Sequence, residues 1–412
     1  MKRKSLLLIL GLCLAPFATR AEDWPQFRGP NGAGAGQAAL PATWSNDENL
    51  LWKAPLEGVG ASSPVIVGTK LFLTTGIGGT GDLVRHVLCF DAVTGEKLWD
   101  KTVESALPES DSIREDHGYT SATPVADATH LYVFFGKSGV FCFDHSGNRV
   151  WNTGVGSQLN RWGSAASLAL LGDQLLVNAC VESEALIALD KATGRERWRA
   201  PGLKECWHAP FPVTAAGGGA QIVMAQAQRV VAYDATNGNE VWNCKSGISW
   251  YMCPQPLVSD GVLYAVGGRN GVGGVAVKLG GSGEVTESHR LWTLEKGTNV
   301  PSPVIHDGHL YFAHENNGTA HCVDLKTGKF IYDEPLTPNP GQIYASPVLV
   351  GDRLVYLGRG GQAVMVKASP TFEITGSAKL EDGRGVFNAS PAIANGRLYL
   401  RSNRFLYAIG AK

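Results

Sequence analysis

Ala188-Leu189-Asp190-Lys191-Ala192-Thr193-Gly194-Arg195-Glu196-Arg197-Trp198 is the stretch of sequence that decides the fold. It has the pattern of a strand end, a tight turn and a second strand, because Asp and Thr side chains cap turns and Gly accepts the positive φ of a reversal. The same pattern recurs in Cys89 to Trp99 and Ala232 to Trp242, and shortened or altered versions are Cys142 to Trp151 and Cys322 to Tyr332. A recurring hairpin of this kind indicates a repeat protein.

A second recurring feature is a small or polar residue followed by Pro at the start of an apolar strand. The copies are Ser63-Pro64, Thr123-Pro124, Phe211-Pro212, Gln255-Pro256, Ser302-Pro303, Ser346-Pro347 and Ser390-Pro391, with Ala166-Ser167-Leu168 as a copy without proline. Their spacing of about 44 residues is that of a propeller blade. Because the last unit supplies only three strands and Leu50 to Leu56 resembles an isolated fourth, we predict an all-β, eight-bladed β-propeller of four-stranded antiparallel blades, closed by an N-terminal strand.

Composition and charge set the domain boundaries and exclude several classes of protein. The 412 residues include 51 glycines and only 18% charged residues, which argues against a disordered chain or a coiled coil. The basic start Met1 to Lys4 and the apolar run from Ser5 to Ala15 predict a signal peptide over residues 1–21, and hence a periplasmic or secreted protein. We assign 22–49 to a leader segment and 50–412 to the propeller.

The mature chain carries no signature of a nucleic-acid or membrane protein. Without the predicted signal it has 32 basic and 37 acidic residues and no run of Lys or Arg, so nucleic-acid binding is not expected. No later segment is apolar and long enough to span a bilayer, so membrane insertion is not expected either. Leu12 stands before Cys13 where a lipoprotein signal needs a small residue, which argues against lipid attachment. We expect a monomer.

Tryptophans that follow the hairpin turn fall on the outermost strand of each blade. From there a ring can pack across to the next blade, so a structural docking role is predicted for Trp52, Trp99, Trp151, Trp198, Trp242 and Trp292. The fifth unit lacks the Asp and the Thr-Gly pair, and the seventh lacks the aromatic residue. Both of these blades are therefore expected to be looser.

The run from Ala188 to Trp198 resembles the tryptophan-docking motif of quinoprotein-like propellers, the repeat named for pyrroloquinoline quinone (PQQ). The resemblance covers about residues 50 to 410, and residues Asp23 to Gly32 look like the start of secreted bacterial proteins with these repeats. Quinoprotein dehydrogenases of this fold typically carry a disulfide between adjacent cysteines, acidic and amide calcium ligands and an aspartate base. This chain has no two adjacent cysteines. We therefore expect no cofactor, with PQQ and calcium as the alternative.

The remaining cysteines and histidines are weak candidates for chemistry. Cys89, Cys142 and Cys322 occupy a position that alanine fills in other repeats, which indicates small core residues. Cys206 and Cys253 precede inner strands of successive blades, so they are our candidates for a disulfide. The histidines 306, 309, 314 and 321 lie at turns and strand ends, and no metal site is expected there.

The segments that connect one blade to the next should meet at the mouth of the central channel. They are unusually rich in aromatic and polar side chains, which are our candidate ligand-binding residues: His117, Tyr119, Arg161, Trp162, Trp207, His208, Trp250, Tyr251, Asn299, Tyr344 and Asn388. The other interpretation is that these side chains merely plug the channel. The sequence predicts a non-catalytic, exported binding or scaffold protein for a peptide, protein or glycan, similar in kind to the assembly scaffold BamB. The alternative is a PQQ- and calcium-dependent oxidoreductase of alcohols or sugars.

Overall fold

A computed structural model describes residues 23–111, 113, 117–215, 217–268 and 271–411. The predicted signal peptide lies outside these residues. The described chain forms eight sheets, each with a four-stranded antiparallel blade and two with one additional parallel strand, arranged as a β-propeller, which confirms the predicted fold. The longest helix in this part of the chain is the four-residue Thr286–His289, so no described helix could cross a membrane.

Blades 1 to 4 follow one another along the chain, each running from an inner to an outer strand. Blade 1 consists of Val65–Val67, Lys70–Ile77, Val84–Asp91 and Lys97–Glu104. Blade 2 consists of Val125–Ala126, His130–Phe134, Val140–Asp144 and Arg149–Thr153. Blade 3 consists of Ala169–Leu171, Gln174–Ala179, Ala185–Asp190 and Glu196–Pro201. Blade 4 consists of Phe211–Thr214, Ala220–Gln226, Arg229–Asp234 and Glu240–Lys245.

Blades 5 to 8 complete the ring. Blade 5 consists of Leu257–Ser259, Val262–Val266, Gly274–Lys278 and Arg290–Leu294. Blade 6 consists of Val304–His306, His309–Ala313, Thr319–Asp324 and Phe330–Pro335. Blade 7 consists of Val348–Val350, Arg353–Leu357, Gln362–Lys367 and Ile374–Lys379. Blade 8 consists of Ala392–Ala394, Arg397–Arg401, Phe405–Ile409 and the N-terminal strand Leu50–Pro55.

The ring closes through the strand that the sequence indicated. Leu50–Pro55 pairs antiparallel with Phe405–Ile409, with Lys53 opposite Tyr407. The outermost strand of blade 8 therefore comes from the opposite end of the chain to its other three strands. Joining the two ends in one sheet removes the open junction that a propeller would otherwise have.

A circle of side-chain hydrogen bonds surrounds the channel where the inner strands begin. In most blades, the residue that precedes the proline of the inner strand accepts a hydrogen bond at its side chain. The donor is the backbone N–H of the equivalent residue in the preceding blade. Ser167 holds this position in blade 3, which has no proline there. These acceptors, which we call the polar belt, are Ser63, Thr123, Ser167, Gln255, Ser302, Ser346 and Ser390. The N–H of Ser390 donates to Ser63 Oγ at 3.0 Å, so the belt runs across the ring closure.

In blade 4, the sequence predicted the wrong residue pair at the opening of the inner strand. Ala209, not Phe211, holds the belt position, because its N–H donates to Gln255 Oε1 at 3.1 Å. The equivalent proline is therefore Pro210, and Pro212 lies within the inner strand Phe211–Thr214. The Phe-Pro pair was mistaken for the opening of the strand because the true opening residue is alanine, which carries no hydroxyl and leaves a gap in the belt.

Ser63→Ala should test the belt at the ring closure. The substitution removes the acceptor of the Ser390 N–H, which is buried, and an unsatisfied buried donor costs about 1–3 kcal/mol. We expect the free energy of unfolding to fall by that amount in denaturant titrations, whereas Ser63→Thr, which keeps the hydroxyl, should lie close to wild type. Equal losses in both variants would show that packing, rather than this hydrogen bond, matters at the closure.

The outer-strand tryptophans contact the turn of the following blade. In five of these junctions the indole lies over the glycine of the next turn and its Nε1 donates, at 3.0–3.2 Å, to a carbonyl of that turn: Trp52 to Ala92, Trp99 to His145, Trp151 to Lys191, Trp198 to Ala235 and Trp292 to Leu325. Trp242 differs, since its Nε1 donates to Gln221 Oε1 within its own blade.

The fifth blade keeps its tryptophan contact despite the altered turn. Its additional residues form Gly283–Glu284 and the helix Thr286–His289, and Gly283–Glu284 pairs in parallel with Trp242 and Asn243 of blade 4. Val285, which follows that extra strand, belongs to the same core cluster as Trp242, which is fully buried. The expectation of a looser blade therefore overlooked an insertion that packs against its neighbour.

The leader segment compensates for the aromatic residue that blade 7 lacks. Gly376 stands opposite Met365 at the position of the missing ring, and a Cβ there would come within 2.2 Å of the Ala42 carbonyl oxygen. Trp44, buried in the same core cluster as Met365, accepts a hydrogen bond from Lys379 N–H at its carbonyl. The leader thus fills the space from outside the repeat.

The first part of the leader crosses the end of the channel opposite the mouth. Trp24 pairs with Ile66 of blade 1, and Ala35–Gly36 runs parallel to the inner strand of blade 7. Between them, the buried Arg28 donates to four carbonyls, those of Gly32, Ala33, Pro303 and Pro347. Arg28 therefore ties the leader to the inner ends of blades 6 and 7.

Candidate functional site

A cavity of about 300 Å³ lies at the mouth of the channel, and we call it the mouth funnel. The predicted binding residues that line it are His117, Trp162, Trp207, His208, Trp250, Tyr251, Asn299, Tyr344 and Asn388. Several residues that the sequence did not indicate line it as well: Phe27, Ala61, Ser121, Ala165, Cys253, Val300 and the belt residues Ser63, Thr123, Ser167, Ser346 and Ser390. The connecting segments of all eight blades therefore converge on one cavity.

Tyr119 and Arg161 are the two predicted residues that do not line the funnel. The Tyr119 hydroxyl donates to the Ser110 carbonyl at 2.9 Å, which directs the ring into the insertion that follows blade 1. The Arg161 guanidinium lies 4.8 Å from the centre of the Trp162 ring, so it covers this tryptophan from outside. Both residues lie in the predicted segments, but neither side chain lines the cavity.

Tyr251 is the centre of an aromatic cluster on one side of the funnel. Its ring centre lies 5.4 Å from Trp207, 5.4 Å from Trp250 and 6.2 Å from Trp162. Trp207 is buried and donates from Nε1 to the Gly163 carbonyl at 2.9 Å. By contrast, 45% of Trp162 and 38% of Trp250 is exposed. The cluster thus combines an anchored base with two rings that face solvent.

A buried hydrogen-bond relay fixes Tyr251 in place. Asn299 Nδ2 donates to the Tyr251 hydroxyl at 2.8 Å, and the backbone N–H of Asn299 donates to Glu315 Oε2 at 3.1 Å. The Thr298 hydroxyl also donates to Glu315 Oε2, at 3.2 Å. Glu315 and Asn299 are fully buried, and Asn299 Oδ1 has no hydrogen-bond partner among the described residues. Glu315 is a positioning residue, and the sequence analysis missed it because it lies outside the connecting segments.

Asn178 positions the segment that carries Trp207 and His208. Its buried Nδ2 donates to the carbonyls of Cys206 at 3.1 Å and His208 at 2.9 Å. His208 Nδ1 lies 2.8 Å from the Ala209 carbonyl oxygen, and its Nε2 lies 3.0 Å from the carbonyl oxygen and 3.1 Å from the backbone nitrogen of Ala225. Burial lowers the pKa of His208 below its ordinary value. The imidazole is therefore neutral at pH 7.

The opposite side of the funnel is organised by Arg359. Its guanidinium lies 4.5 Å from the centre of the Tyr344 ring, and its Nε donates to Asn388 Oδ1 at 2.9 Å. Its Nη1 donates to Gln342 Oε1 at 3.0 Å. These contacts orient Tyr344 and Asn388 toward the channel. Arg359 lies on the hairpin of blade 7, outside the connecting segments, which is why the sequence did not indicate it.

The floor of the funnel is formed by the leader. Phe27 lines the funnel and also a second cavity of about 710 Å³, which lies between residues 26–33 and the inner strands of blades 3 to 5. The Phe27 ring therefore separates the two cavities, and Arg28 beside it anchors the leader. The funnel is thus a recess with a floor rather than an open pore.

Glu182 lies behind the loop that carries Trp162. The Ser164 hydroxyl donates to Glu182 Oε1, and the Gln158 N–H donates to the Glu182 carbonyl at 3.1 Å. Burial raises the pKa of this carboxyl from 4.5 to about 7. Its ionisation is therefore linked to folding.

The pH dependence of stability should reveal this linkage. Because the native state holds the Glu182 proton more tightly than the unfolded state, stability should fall as the pH rises from about 4.5 to about 7, by up to about 3 kcal/mol. Glu182→Gln keeps an acceptor for Ser164 but cannot ionise. The stability of this variant should therefore not show the part of the pH dependence that comes from Glu182. Urea titrations at several pH values measure both slopes, and parallel slopes in the two proteins would contradict the assignment.

The structure does not contain the disulfide predicted between Cys206 and Cys253, since both thiols are free. Cys206 forms a parallel bridge with Met252, and the neighbouring Cys253 side chain, which lines the funnel, points to the other side. Cys206 lies instead beside Cys180, whose thiol donates to the Cys206 carbonyl at 2.7 Å. Burial raises the pKa of Cys206, and raises that of Cys253 to about 12, so both thiols are protonated at neutral pH.

The residues that line the funnel do not fit PQQ and calcium. Calcium requires oxygen ligands that usually include carboxylates, and PQQ itself carries carboxylates that need cationic partners. Among the described lining residues there is no Asp, Glu, Lys or Arg. Nor does the described part of the chain contain a group of three or more His, Cys, Asp or Glu side chains that could hold a metal ion. We derive no redox step from this site.

Comparison with known proteins identifies relatives of the chain. Residues 84–334 match the family described as outer membrane protein assembly factor BamB. The crystal structure of BamB from Moraxella catarrhalis has 15% sequence identity and a TM-score of 0.62, over 88% of this chain and 97% of that protein. None of the curated proteins matches the sequence.

Two quinoprotein enzymes are also structural neighbours. A europium-containing methanol dehydrogenase has 10% identity and a TM-score of 0.67, over 95% of this chain and 98% of its own. A quinohemoprotein alcohol dehydrogenase from Comamonas testosteroni has 12% identity and a TM-score of 0.64, over 95% of this chain and 81% of its own. At these identities the likeness shows a shared fold and not a shared activity.

Proposed function

Because the chain belongs to the family of outer membrane protein assembly factor BamB, we propose that it is an exported, non-catalytic binding or scaffold protein that holds a peptide, protein or glycan in the mouth funnel. The family membership supports a role in binding, and the signal-like N-terminus supports export to the periplasm or beyond. A monomer suffices for this role, since the connecting segments that form the funnel all come from one chain.

The observation that carries this proposal is the exposure of Trp162 and Trp250 around Tyr251. Side chains that merely plug a channel are buried by one another, whereas large fractions of these two rings remain in contact with water. Exposed aromatic rings on an anchored base are typical of binding sites, in which tryptophan and tyrosine contribute much of the binding energy. The relay from Glu315 to Tyr251 holds that base in one orientation before a ligand arrives.

Photo-crosslinking tests whether the funnel engages a ligand. A photoreactive amino acid in place of Trp162 should form adducts when the protein is produced in its natural cells, and adding Trp207→Ala and Trp250→Ala should abolish them. The same amino acid in place of the exposed Ile374 on the outer strand of blade 7 is the matched control and should give none of these adducts. Equal labelling from both positions would contradict a specific site.

An oxidoreductase that uses PQQ and calcium is the second candidate function, and the fold shared with methanol and alcohol dehydrogenases favours it. The absence of charged side chains from the described lining argues against it. The purified protein should show neither a quinone absorbance band nor dye-linked oxidation of alcohols or sugars after addition of PQQ and Ca²⁺. Clear turnover would replace the binding proposal with the enzymatic one.

A further inference from the structure

We propose that the mouth funnel binds the end of an uncharged oligosaccharide. This inference rests on the proposed binding function and specifies the class of ligand. It combines four features of the funnel: exposed aromatic rings, a described lining without Asp, Glu, Lys or Arg, the hydroxyl groups of the polar belt and a floor formed by the leader.

The exposed aromatic rings offer flat apolar surfaces next to polar groups. Trp162 and Trp250 are partly exposed beside Tyr251, and Asn388 and His117 line the same cavity. A pyranose ring has an apolar face of C–H groups and an edge of hydroxyls, so it can stack on tryptophan while its hydroxyls bond to amide and imidazole groups. This combination matches a sugar better than a wholly apolar ligand.

The charge of the lining favours a neutral ligand. The described residues that face the cavity include no Lys, Arg, Asp or Glu, and burial keeps His208 uncharged. Two arginines lie near the funnel without lining it: the Arg359 guanidinium is engaged with Tyr344, Asn388 and Gln342, and the Arg161 guanidinium lies over the Trp162 ring. A carboxylate or ammonium group in this recess would lose hydration without gaining a charged partner, which is unfavourable.

The polar belt favours a sugar over an extended peptide. A peptide usually binds a sheet by pairing with an open strand edge. At the start of the inner strands, the N–H groups of Ser63, Thr123, Ser302, Ser346 and Ser390 already donate to belt hydroxyls. Their use removes the donors that a peptide backbone would need.

The same belt leaves hydroxyl protons for a ligand. The hydroxyls of the funnel residues Ser63, Thr123, Ser167, Ser346 and Ser390 each accept one N–H bond, and among the described residues their own protons have no acceptor. A hydroxyl can accept and donate at once. A circle of such donors suits the oxygen atoms of a sugar, which accept and donate in the same way.

The floor of the funnel limits how far a chain-like ligand can enter. The leader crosses the channel below the funnel, and the cavity of about 300 Å³ lies at the small end of the usual range for ligand sites. A glycan therefore cannot thread through the ring. One or two terminal sugar units fit inside, with the rest of the chain outside the mouth near Trp162 and Arg161.

Isothermal titration with a panel of neutral hexasaccharides built from glucose, N-acetylglucosamine, mannose or xylose tests the inference. We expect at least one to bind, Trp250→Ala to weaken it at least tenfold, and the corresponding disaccharide to retain most of the affinity. Leu291→Ala, an exposed site on the outer strand of blade 5, is the control and should leave binding unchanged. An analogue of the bound hexasaccharide in which carboxylates replace the primary alcohols should bind at least tenfold more weakly. If the bound sugar is built from xylose, a hexamer of glucuronate is the charged analogue.

The outcomes separate this inference from the function on which it rests. If no saccharide binds but an uncharged hexapeptide library does, and Trp250→Ala abolishes that binding, the ligand class is wrong and the funnel remains a binding site. If the carboxylated analogue binds as tightly as the neutral one, the charge argument is wrong. If neither saccharides nor peptides bind and photo-crosslinking at residue 162 also yields no adduct, both proposals are wrong.

Discussion

Trp198→Ala will lower the free energy of unfolding by about 3–5 kcal/mol, which is the usual cost of removing a large buried side chain. Trp198 is 8% exposed and belongs to the core cluster shared by blades 3 and 4. Its indole lies over Gly238 of the next turn, where a Cβ would come within 2.5 Å of the ring, and its Nε1 donates to the Ala235 carbonyl at 3.1 Å. Alanine would leave a cavity between the blades and a carbonyl without its donor.

Trp162→Ala is the matched control for this prediction. The same side chain is deleted, but Trp162 is 45% exposed and holds no blade junction, so its loss should change the free energy of unfolding by less than about 1 kcal/mol. Denaturant titrations followed by circular dichroism measure both variants. Similar losses at the two positions would show that the blade junctions do not depend on the buried tryptophans.

Arg28→Ala will destabilise the protein by at least about 3 kcal/mol or release the leader from the propeller. The guanidinium is fully buried and satisfies four carbonyls, two of them on the inner ends of blades 6 and 7, and each buried acceptor that loses its donor costs about 1–3 kcal/mol. Burial lowers the pKa of Arg28, yet an arginine remains charged at neutral pH. Deleting it also removes the anchor beside Phe27.

Two further substitutions separate the causes of that effect. Arg28→Met preserves much of the packing without donors, whereas Arg28→Lys keeps the charge but lacks the planar fork of donors. We expect the order of stability wild type, Lys, then Met and Ala, and faster cleavage of the leader by protease in the last two. If Arg28→Met equals or exceeds wild type in stability, burial of the charge is a net cost and the hydrogen bonds do not anchor the leader.

The fold could be predicted from the sequence because local chemistry repeats in every blade. Asp190 caps its turn, Gly194 adopts φ of 72° and Trp198 follows on the next strand, and each of these roles depends only on nearby residues. The closure by Leu50–Pro55 followed from counting strands. Features that occur in only one blade were harder to predict, as the wrong register at Pro212 shows.

The role of the leader could not be predicted, since it depends on contacts between residues far apart in sequence. Arg28 bonds to Pro303 and Pro347, and the Ala42 backbone lies against Gly376, but no local pattern links these positions. One signal was present: Trp24, Phe27 and Trp44 are large aromatic residues in a segment that would otherwise be an exposed tail. Aromatic residues at that density indicate a segment that packs against the domain.

The candidate site was predictable to the extent that the topology places the connecting segments at one end of the channel. Position along the chain did not determine which side chains line the cavity, so Tyr119 and Arg161 were included although they contact Ser110 and Trp162 instead. The residues that support the site were missed because they lie on other elements. Glu315 and Arg359 come from hairpins of blades 6 and 7, and Asn178 from the second strand of blade 3.

Chemical shifts of the tryptophan indole N–H groups during a ligand titration test the central claim most directly. The eleven tryptophans divide into rings of the mouth funnel, at 162, 207 and 250, and rings of the leader and blade junctions. When the saccharide or peptide that binds most tightly is added, the signals of Trp162, Trp207 and Trp250 should shift while those of Trp99, Trp151, Trp198 and Trp292 stay in place. Shifts at the blade junctions with none in the funnel would contradict the account.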